Sequence, residues 1–358
     1  MKKAALIMAG GRGERFWPKS RANKPKQFLA LTDDSKSMIQ LTVERILPLV
    51  KLDDIFVATA RDYYTLVREQ LPDLPVENIL CEPVGKNTAP CIGLGAVHMA
   101  QRYGDAVMFV LPSDHLIKNQ DTFLDTLSDA AALAENGQNL VTLGIRPESP
   151  ETGYGYIKMK DCQPDANVHK VECFVEKPDL ETAKEYLASG EYLWNSGMFV
   201  WRASVILNNM KRYLPEIYNG LCRIGESIGS DVENEVLQKE FEAFRAESID
   251  YGVMEKAENI YTLTGKFGWD DVGSWLAVAR LKKSDEMGNV FCGNVVDIGV
   301  KKCIVQGEKR VVALVGVENL VVVDTGDALL VCNKAHTGEI KQVLERLRAQ
   351  GGNTHNRK

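Results

Sequence analysis

Three glycines in four residues, Gly10, Gly11 and Gly13, surround Arg12, and Arg15 follows two positions later. Such a run lets a backbone come close to a chain of phosphates and point N–H groups at it. Arg12 and Arg15 add positive charge, and Lys24-Pro-Lys-Gln27 brings more. The spacing is not G-x-G-x-x-G, so the dinucleotide fingerprint is absent, and no G-K-[ST] follows, so the P-loop pattern is absent too. Taken alone, Gly10 to Gly13 reads equally well as an ordinary strand-to-helix turn. Asp114 closes an apolar run, and Asp271 sits in a Trp-x-Asp-x-Gly stretch with Asp270 beside it. His115 adjoins Asp114, but a lone histidine is more often structural. Gly153 and Gly155 flank Tyr154 and allow another close backbone approach.

The elements that must position these groups read as an α/β layer. Residues 4–9, 55–59 and 106–111 are short apolar runs of the kind that form buried parallel strands. Residues 38–49, 63–70 and 89–103 between them carry helical patterns. Alternation of this kind predicts a parallel sheet with crossover helices, whose ligands sit at the carboxyl ends of the strands. Those ends carry residues 10–15 and 112–115. Near Gly288 the character changes to short strands at 294–298, 302–306, 310–315, 320–324 and 328–332, with turns at Gly307, Asn319 and Thr325-Gly326-Asp327. They predict a small β-solenoid or a compact β-layer. A helix over 338–348 and a polar tail follow. The expected division is a catalytic domain over 1–285 and a small β domain with its terminal helix over 286–358.

Bulk properties narrow the functional classes. The chain has 358 residues, 45% of them hydrophobic, which is enough for one large domain and a smaller one. A net charge of −6 argues against a nucleic-acid partner, while a local Lys/Arg cluster still permits small anionic substrates. The eight cysteines show no C-x-x-C spacing, which argues against zinc and a disulfide framework and suits a reducing compartment. Lys2 and Lys3 precede an apolar run too short for an export signal, and no stretch reaches membrane-spanning length. A cytoplasmic protein with no membrane partner is expected.

The run Ala9-Gly-Gly-Arg-Gly-Glu-Arg-Phe-Trp-Pro-Lys-Ser-Arg21, continued by Lys24-Pro-Lys-Gln-Phe28, resembles the signature of the mannose-1-phosphate guanylyltransferases within the sugar nucleotidyltransferases. Phe16 and Lys19 stand where leucines are more usual, a departure that removes no charge. The resemblance continues through Glu82-Pro-Val-Gly-Lys-Asn-Thr-Ala-Pro90, Leu111-Pro-Ser-Asp-His115, Glu151-Thr-Gly-Tyr-Gly-Tyr156 and Phe174-Val-Glu-Lys-Pro178. It extends to Trp194-Asn-Ser-Gly-Met-Phe199, Asp250-Tyr-Gly-Val-Met-Glu-Lys256 and Gly268-Trp-Asp-Asp-Val-Gly-Ser-Trp275. Each piece alone is weak, but their order is specific. The resemblance implies a Rossmann-like nucleotidyltransferase domain with a mostly parallel mixed sheet. It also implies a small C-terminal domain resembling a left-handed β-helix. The implied reaction transfers GMP from GTP to α-D-mannose 1-phosphate.

A sugar 1-phosphate is already an anionic nucleophile and needs no strong base. Catalysis must come from positioning and charge neutralisation. The resemblance makes Asp114 and Asp271 the ligands of Mg²⁺ (or Mn²⁺), in keeping with a hard cation held by one or two carboxylates, phosphates and water. Arg15 and Lys26 are the candidates for the triphosphate, with Ala9, Gly10, Gly11, Arg12, Gly13 and Ser113 around the nucleotide. Glu82 is the candidate for guanine, whose N1–H and N2–H₂ donate side by side to one carboxylate. Asn87 and Thr88 are possible helpers, and Thr88 also reads as a helix N-cap. For the sugar phosphate the candidates are Lys177, Glu176, Asn195, Gly153, Tyr154 and Asp250. Glu176 and Lys177 would point to opposite faces of a regular strand, so the assignment requires a bulge or a strand end there.

Residues 311–332 also resemble the family. In longer relatives an isomerase domain follows, and this chain ends soon after, so no isomerase activity is expected. Packing on the catalytic domain and homodimer formation are the roles open to the β domain, because strand edges need covering. Three other readings compete: transfer to another hexose or heptose 1-phosphate, a dinucleotide-dependent oxidoreductase, and a non-catalytic nucleotide-sugar sensor. The missing fingerprint disfavours the oxidoreductase. The presence of Asp114, Asp271, Lys26 and Lys177 together disfavours the sensor.

Overall fold

The computed structural model describes residues 1–11, 13–33, 35–160 and 166–350. Arg12 therefore lies outside the described residues. Two compact units form, and neither is a single stretch of chain. The first contains residues 1–10, 42–113 and 117–269, and the second contains 11–41, 114–116 and 270–358.

The first unit is built on nine strands: β1 (Lys2–Met8), β2 (Ile55–Ala60), β3 (Ile79–Glu82), β4 (Ala106–Pro112), β5 (Leu140–Ile145), β6 (Tyr156–Met159), β7 (Val168–Val175), β8 (Tyr192–Arg202) and β9 (Ile260–Gly265). They form one sheet in the order β3-β2-β1-β4-β8-β5-β9-β7-β6. The β3-β2-β1-β4 half is parallel throughout, as continuous apolar runs demand. β8 is inserted antiparallel between β4 and β5, and β7 runs antiparallel to β9, so the sheet is mixed. The three expected helices form as α1 (Met38–Ile46), α2 (Tyr64–Gln70) and α3 (Thr88–Tyr103). Leu6, Ala58, Met108 and Val110 of the sheet share a buried cluster with Ile92, Leu94 and Met99 of α3. Met8 is in register with Pro112, so β1 and β4 end side by side and their following turns start from neighbouring points.

The second unit carries the coiled β-structure. Val290–Cys292, Ile304–Gln306 and Leu320–Asp324 stack in parallel, and Val295–Ile298 pairs in parallel with Val312–Val315. Successive strands thus return to two parallel faces, as in a β-helix, rather than forming a flat layer. Leu329–Asn333 closes the first face antiparallel to Leu320–Asp324. Alternation along the strands divides the packing. Val305 and Val322 are paired and point into the coil with Val300 and Cys303. Ile304 and Val321 point the other way, into a cluster with Phe16, Trp17, Trp275, Ile340 and Leu344. The expected final helix forms as Ile340–Ala349. Seven cysteines are free, and no disulfide occurs among the described residues. No helix among the described residues is long and apolar enough to cross a membrane.

Candidate active site

A cavity of about 510 Å³ in the second unit is lined by Gly13, Arg15, Phe16, Lys26, Asp114 and Asp271, with His115 and Gly273 beside them. Lys26 is its centre. Only 5% of the residue is exposed, and its ammonium donates to Asp114 Oδ2 at 2.9 Å and to the Asp271 carbonyl oxygen at 2.6 Å. An ammonium has three N–H donors. Two are taken by these partners, which leaves one N–H of the ammonium beyond them. Lys26 begins a single 3₁₀ turn, Lys26–Phe28, whose Phe28 side chain is buried.

The glycine turn is shaped around the same lysine. Gly13 has φ +58°, and a Cβ there would stand 2.5 Å from the Lys26 backbone nitrogen and Cβ. Only a residue without a side chain permits both the backbone angle and the approach. The turn leads into the 3₁₀ helix Glu14–Phe16, in which Phe16 is buried edge-on against Trp275 while Arg15 stays exposed at the cavity wall. Further back along the turn, Gln27 Nε2 donates to the Gly11 carbonyl at 2.9 Å.

The adjacent aspartates Asp270 and Asp271 take different roles. Asp270 Oδ1 accepts from the Val272 N–H at 2.7 Å and Oδ2 from Arg280 at 3.0 Å, so it shapes the turn. Asp271 faces the cavity and accepts from the Gly273 N–H at 3.0 Å. A Cβ on Gly273 would come within 2.6 Å of Asp271 Oδ2. The protein packed around Asp114 raises its pKa, but the Lys26 ammonium and His115 outweigh that and hold the carboxyl below its usual range. His115 Nε2 lies 3.9 Å from Asp114 Oδ1. No group of three or more His, Cys, Asp or Glu that could hold a metal occurs among the described residues. Two carboxylates on a roomy polar cavity do fit a hard cation that takes its remaining ligands from phosphate and water.

The first unit holds two further groups of the expected residues. At the end of β3, Glu82 is 6% exposed, and its Oε1 is buried without a hydrogen-bond partner. Burial pushes its pKa up to about 7. Its Oε2 would sit 3.2 Å from a Cβ on Gly10, so the carboxylate lies against the backbone at the end of β1. Ala9 beside it is fixed by donating to Ala58 and by accepting from Thr59 Oγ1 at 3.1 Å. The buried Ser113 donates its N–H to Met8. Asn87 and Thr88 do not hydrogen-bond Glu82. The N-cap of α3 is Asn87, not Thr88: Asn87 Oδ1 accepts from the Thr88 N–H at 2.8 Å. Thr88 Oγ1 instead accepts from the Ile249 N–H at 2.8 Å. Its hydroxyl is drawn into a tertiary contact, which helix-start statistics do not register.

The second group gathers around Asn195. β7 ends at Val175, so Glu176 and Lys177 leave strand geometry at once, and Lys177 Nζ reaches Glu176 Oε1 at 2.5 Å. The strand end removes the alternation that would send the two side chains to opposite faces. Asn195 Nδ2 donates to Asp250 Oδ1 at 2.8 Å, and the Asn195 N–H donates to the Gly155 carbonyl at 2.8 Å. Gly155 in turn lies against Glu176, whose Oε2 would be 3.5 Å from a Cβ there. Burial raises the Asp250 carboxyl above its usual range despite the Asn195 hydrogen bond, and Glu176 adds to the rise. Tyr154 packs edge-on against Trp194 and Trp269, each at 5.2 Å between ring centroids. Gly153 has nothing within 4 Å of a Cβ position, so it opens on free space.

Glu14, Lys341 and Arg348 also line the Lys26 cavity and were not among the expected residues. Neither cation belongs to a motif. Only the packing of helix Ile340–Ala349, through buried Ile340 and Leu344, brings them to the wall.

The family model for nucleotidyl transferases matches residues 4–287, and that for the mannose-phosphate isomerase/GMP-like β-helix domain matches 293–347. A mannose-1-phosphate guanylyltransferase of Salmonella montevideo is 41% identical over 98% of this chain and 75% of its own length. The xanthan biosynthesis protein XanB of Xanthomonas campestris pv. campestris is 42% identical over 97% of this chain and 73% of its own. A crystal structure described as a mannose-1-phosphate geranyltransferase, from Thermus thermophilus, superposes with a TM-score of 0.87. It is 37% identical and covers 97% of this chain and 100% of its own.

Proposed function

The chain belongs to the nucleotidyl transferase family, and on that premise we propose that it transfers GMP from GTP to α-D-mannose 1-phosphate. The products are GDP-mannose and pyrophosphate. The observation that carries the phosphate chemistry is the buried Lys26 ammonium, set between Asp114 and the Asp271 carbonyl on one cavity with Arg15. The choice of guanine and mannose rests on the 41% identity to a mannose-1-phosphate guanylyltransferase and on Glu82.

The sugar phosphate oxygen attacks the α-phosphorus in line, the bond to the α–β bridging oxygen breaks, and pyrophosphate leaves. Lys26 and Arg15 hold the triphosphate and neutralise charge on the departing pyrophosphate. Ala9, Gly10, Gly11, Gly13 and Ser113 lie along the nucleotide. Glu82 accepts from guanine N1–H and N2–H₂, with its orphaned Oε1 as one of the acceptors. Lys177 holds the sugar phosphate, while Glu176, Asn195 and Asp250 take the sugar hydroxyls and Tyr154 provides an apolar face. Asp114 and Asp271 would hold Mg²⁺, or Mn²⁺ in its place. The ion would neutralise phosphate charge and orient the oxygens. Residues 1–285 would be the catalytic domain and 286–358 the β domain.

The β domain has an exposed apolar face: Val296, Ile298 and Val315 lie on the paired strands Val295–Ile298 and Val312–Val315. A second copy of this chain is the proposed occupant, through an edge or face that water otherwise meets.

The test is a matrix of NTPs against sugar 1-phosphates, with and without Mg²⁺, read by pyrophosphate release. The expected result is metal-dependent turnover with GTP and mannose 1-phosphate above every other pair. Preference for another hexose or heptose 1-phosphate would move the sugar assignment. Absence of pyrophosphate from every pair would end the reading.

A further inference from the structure

The helix Ile340–Ala349 carries cations that the proposed reaction does not yet use. Ile340 and Leu344, one turn apart, are buried with Phe16, Trp17 and Trp275 and fix the helix in place. Lys341 and Arg348 are seven residues apart, so they lie within about 20° of each other around the helix. They form a stripe beside the buried one, and both line the Lys26 cavity. Arg348 donates to Glu14 Oε1 at 2.6 Å and so ties the helix to the turn that carries Arg15. Lys26 faces Asp114 and Arg348 faces Glu14. Of the four cations on the wall, Arg15 and Lys341 make no ion pair or hydrogen bond among the described residues.

An unpaired ammonium across a cavity from a phosphate-binding lysine has a natural counter-ion, a polyphosphate. We propose that Lys341 binds the β/γ end of the nucleoside triphosphate and the pyrophosphate released from it. Arg348 acts through Glu14 as a positioning residue for the turn and the helix. The inference rests on the nucleotidyl transfer reading, because it assigns the cavity to the triphosphate. A β domain would then take part in substrate binding as well as in packing. Lys341 would add a positive charge at the far end of a triphosphate that carries about four negative charges near neutrality, beyond the reach of the Lys26 ammonium held at Asp114.

The test is a titration of inorganic pyrophosphate in the presence of Mg²⁺, by calorimetry, with the full-length chain. Lys341→Gln should weaken pyrophosphate binding about five- to tenfold, the loss of one charge-assisted contact partly exposed to water. It should raise KM for GTP by a similar factor while KM for mannose 1-phosphate and the melting temperature stay unchanged. Lys341→Arg should restore most of the affinity. Arg346→Gln removes the same charge from the same helix at a position off the cavity and should have no effect. Pyrophosphate affinity in Lys341→Gln within twofold of the parent, or an equal loss in Arg346→Gln, would overturn the inference. Failure of the parent chain to turn over any NTP would remove the transfer reading, while the pyrophosphate titration would still decide whether Lys341 binds the anion.

Discussion

Burial pushes the Glu82 carboxyl from an ordinary 4.5 up to about 7, so it titrates in the range where such enzymes are assayed. Accepting from two guanine donors requires the ionised form. KM for GTP should therefore fall as pH rises from about 6 to about 8, as the base becomes available. Glu82→Gln should lose that dependence and raise KM for GTP about tenfold or more, the loss of a charged hydrogen bond. Steady-state kinetics across pH with GTP and with mannose 1-phosphate checks both, and identical GTP kinetics in parent and variant would remove the assignment. Stability carries the opposite sign. Between pH 4.5 and about 7 the folded chain holds a proton that the unfolded chain has lost, so stability falls as pH rises through that window and levels above it. Glu82→Gln should flatten this fall. The two neighbouring aspartates give a second test. Asp271→Ala should abolish turnover and leave the melting curve close to the parent's. Asp270→Ala, which strips partners from Val272 and Arg280, should lower the melting temperature with turnover largely kept. Near-normal Mg²⁺-dependent rates in Asp271→Ala would count against it as a metal ligand.

The element that bears most on the chemistry is the turn after β1. Gly13 at φ +58° leaves no room for a Cβ against the Lys26 backbone, so the conformation of the turn and the placement of Lys26 are linked. Gly13→Ala should cost about 1–2 kcal/mol for the left-handed backbone alone, and more for the contact at 2.5 Å. Turnover should fall by a larger factor than stability, because displacing Lys26 disturbs both Asp114 and Asp271. Denaturant melts set beside kcat would separate the two effects. A turn was legible in the residues, but clustered glycines after an apolar run read equally well as an ordinary strand-to-helix connection, and only the packing against Lys26 shows why Gly13 must lack a side chain. The end of β7 at Val175 was legible only as a requirement. Alternation along a strand says that Glu176 and Lys177 diverge, and only the ladder shows that pairing stops before them.

At the scale of the molecule, the exposed Val296, Ile298 and Val315 make the proposed contact between copies testable. Sedimentation velocity at micromolar concentration should show a dimer. Ile298→Asp should dissociate it while the far-ultraviolet spectrum is retained, because a charge on that exposed face blocks burial without touching the coil interior. A monomeric parent chain would remove the proposal.

The sequence by itself determined the first three parallel strands with the helices between them, the change to short strands near Gly288 and the candidate residues in their motifs, while it left a coil and a flat β-layer equally open. Those are local properties, carried by hydrophobic period, turn chemistry and short motifs. The motif spacing already favoured Asp271 over Asp270, but tertiary structure alone decided that Lys26 spans 245 residues to reach the Asp271 carbonyl and that Lys341 and Arg348 join the cavity wall. Contacts of that separation leave no periodic trace, because they depend on how buried faces pack rather than on which residues adjoin along the chain.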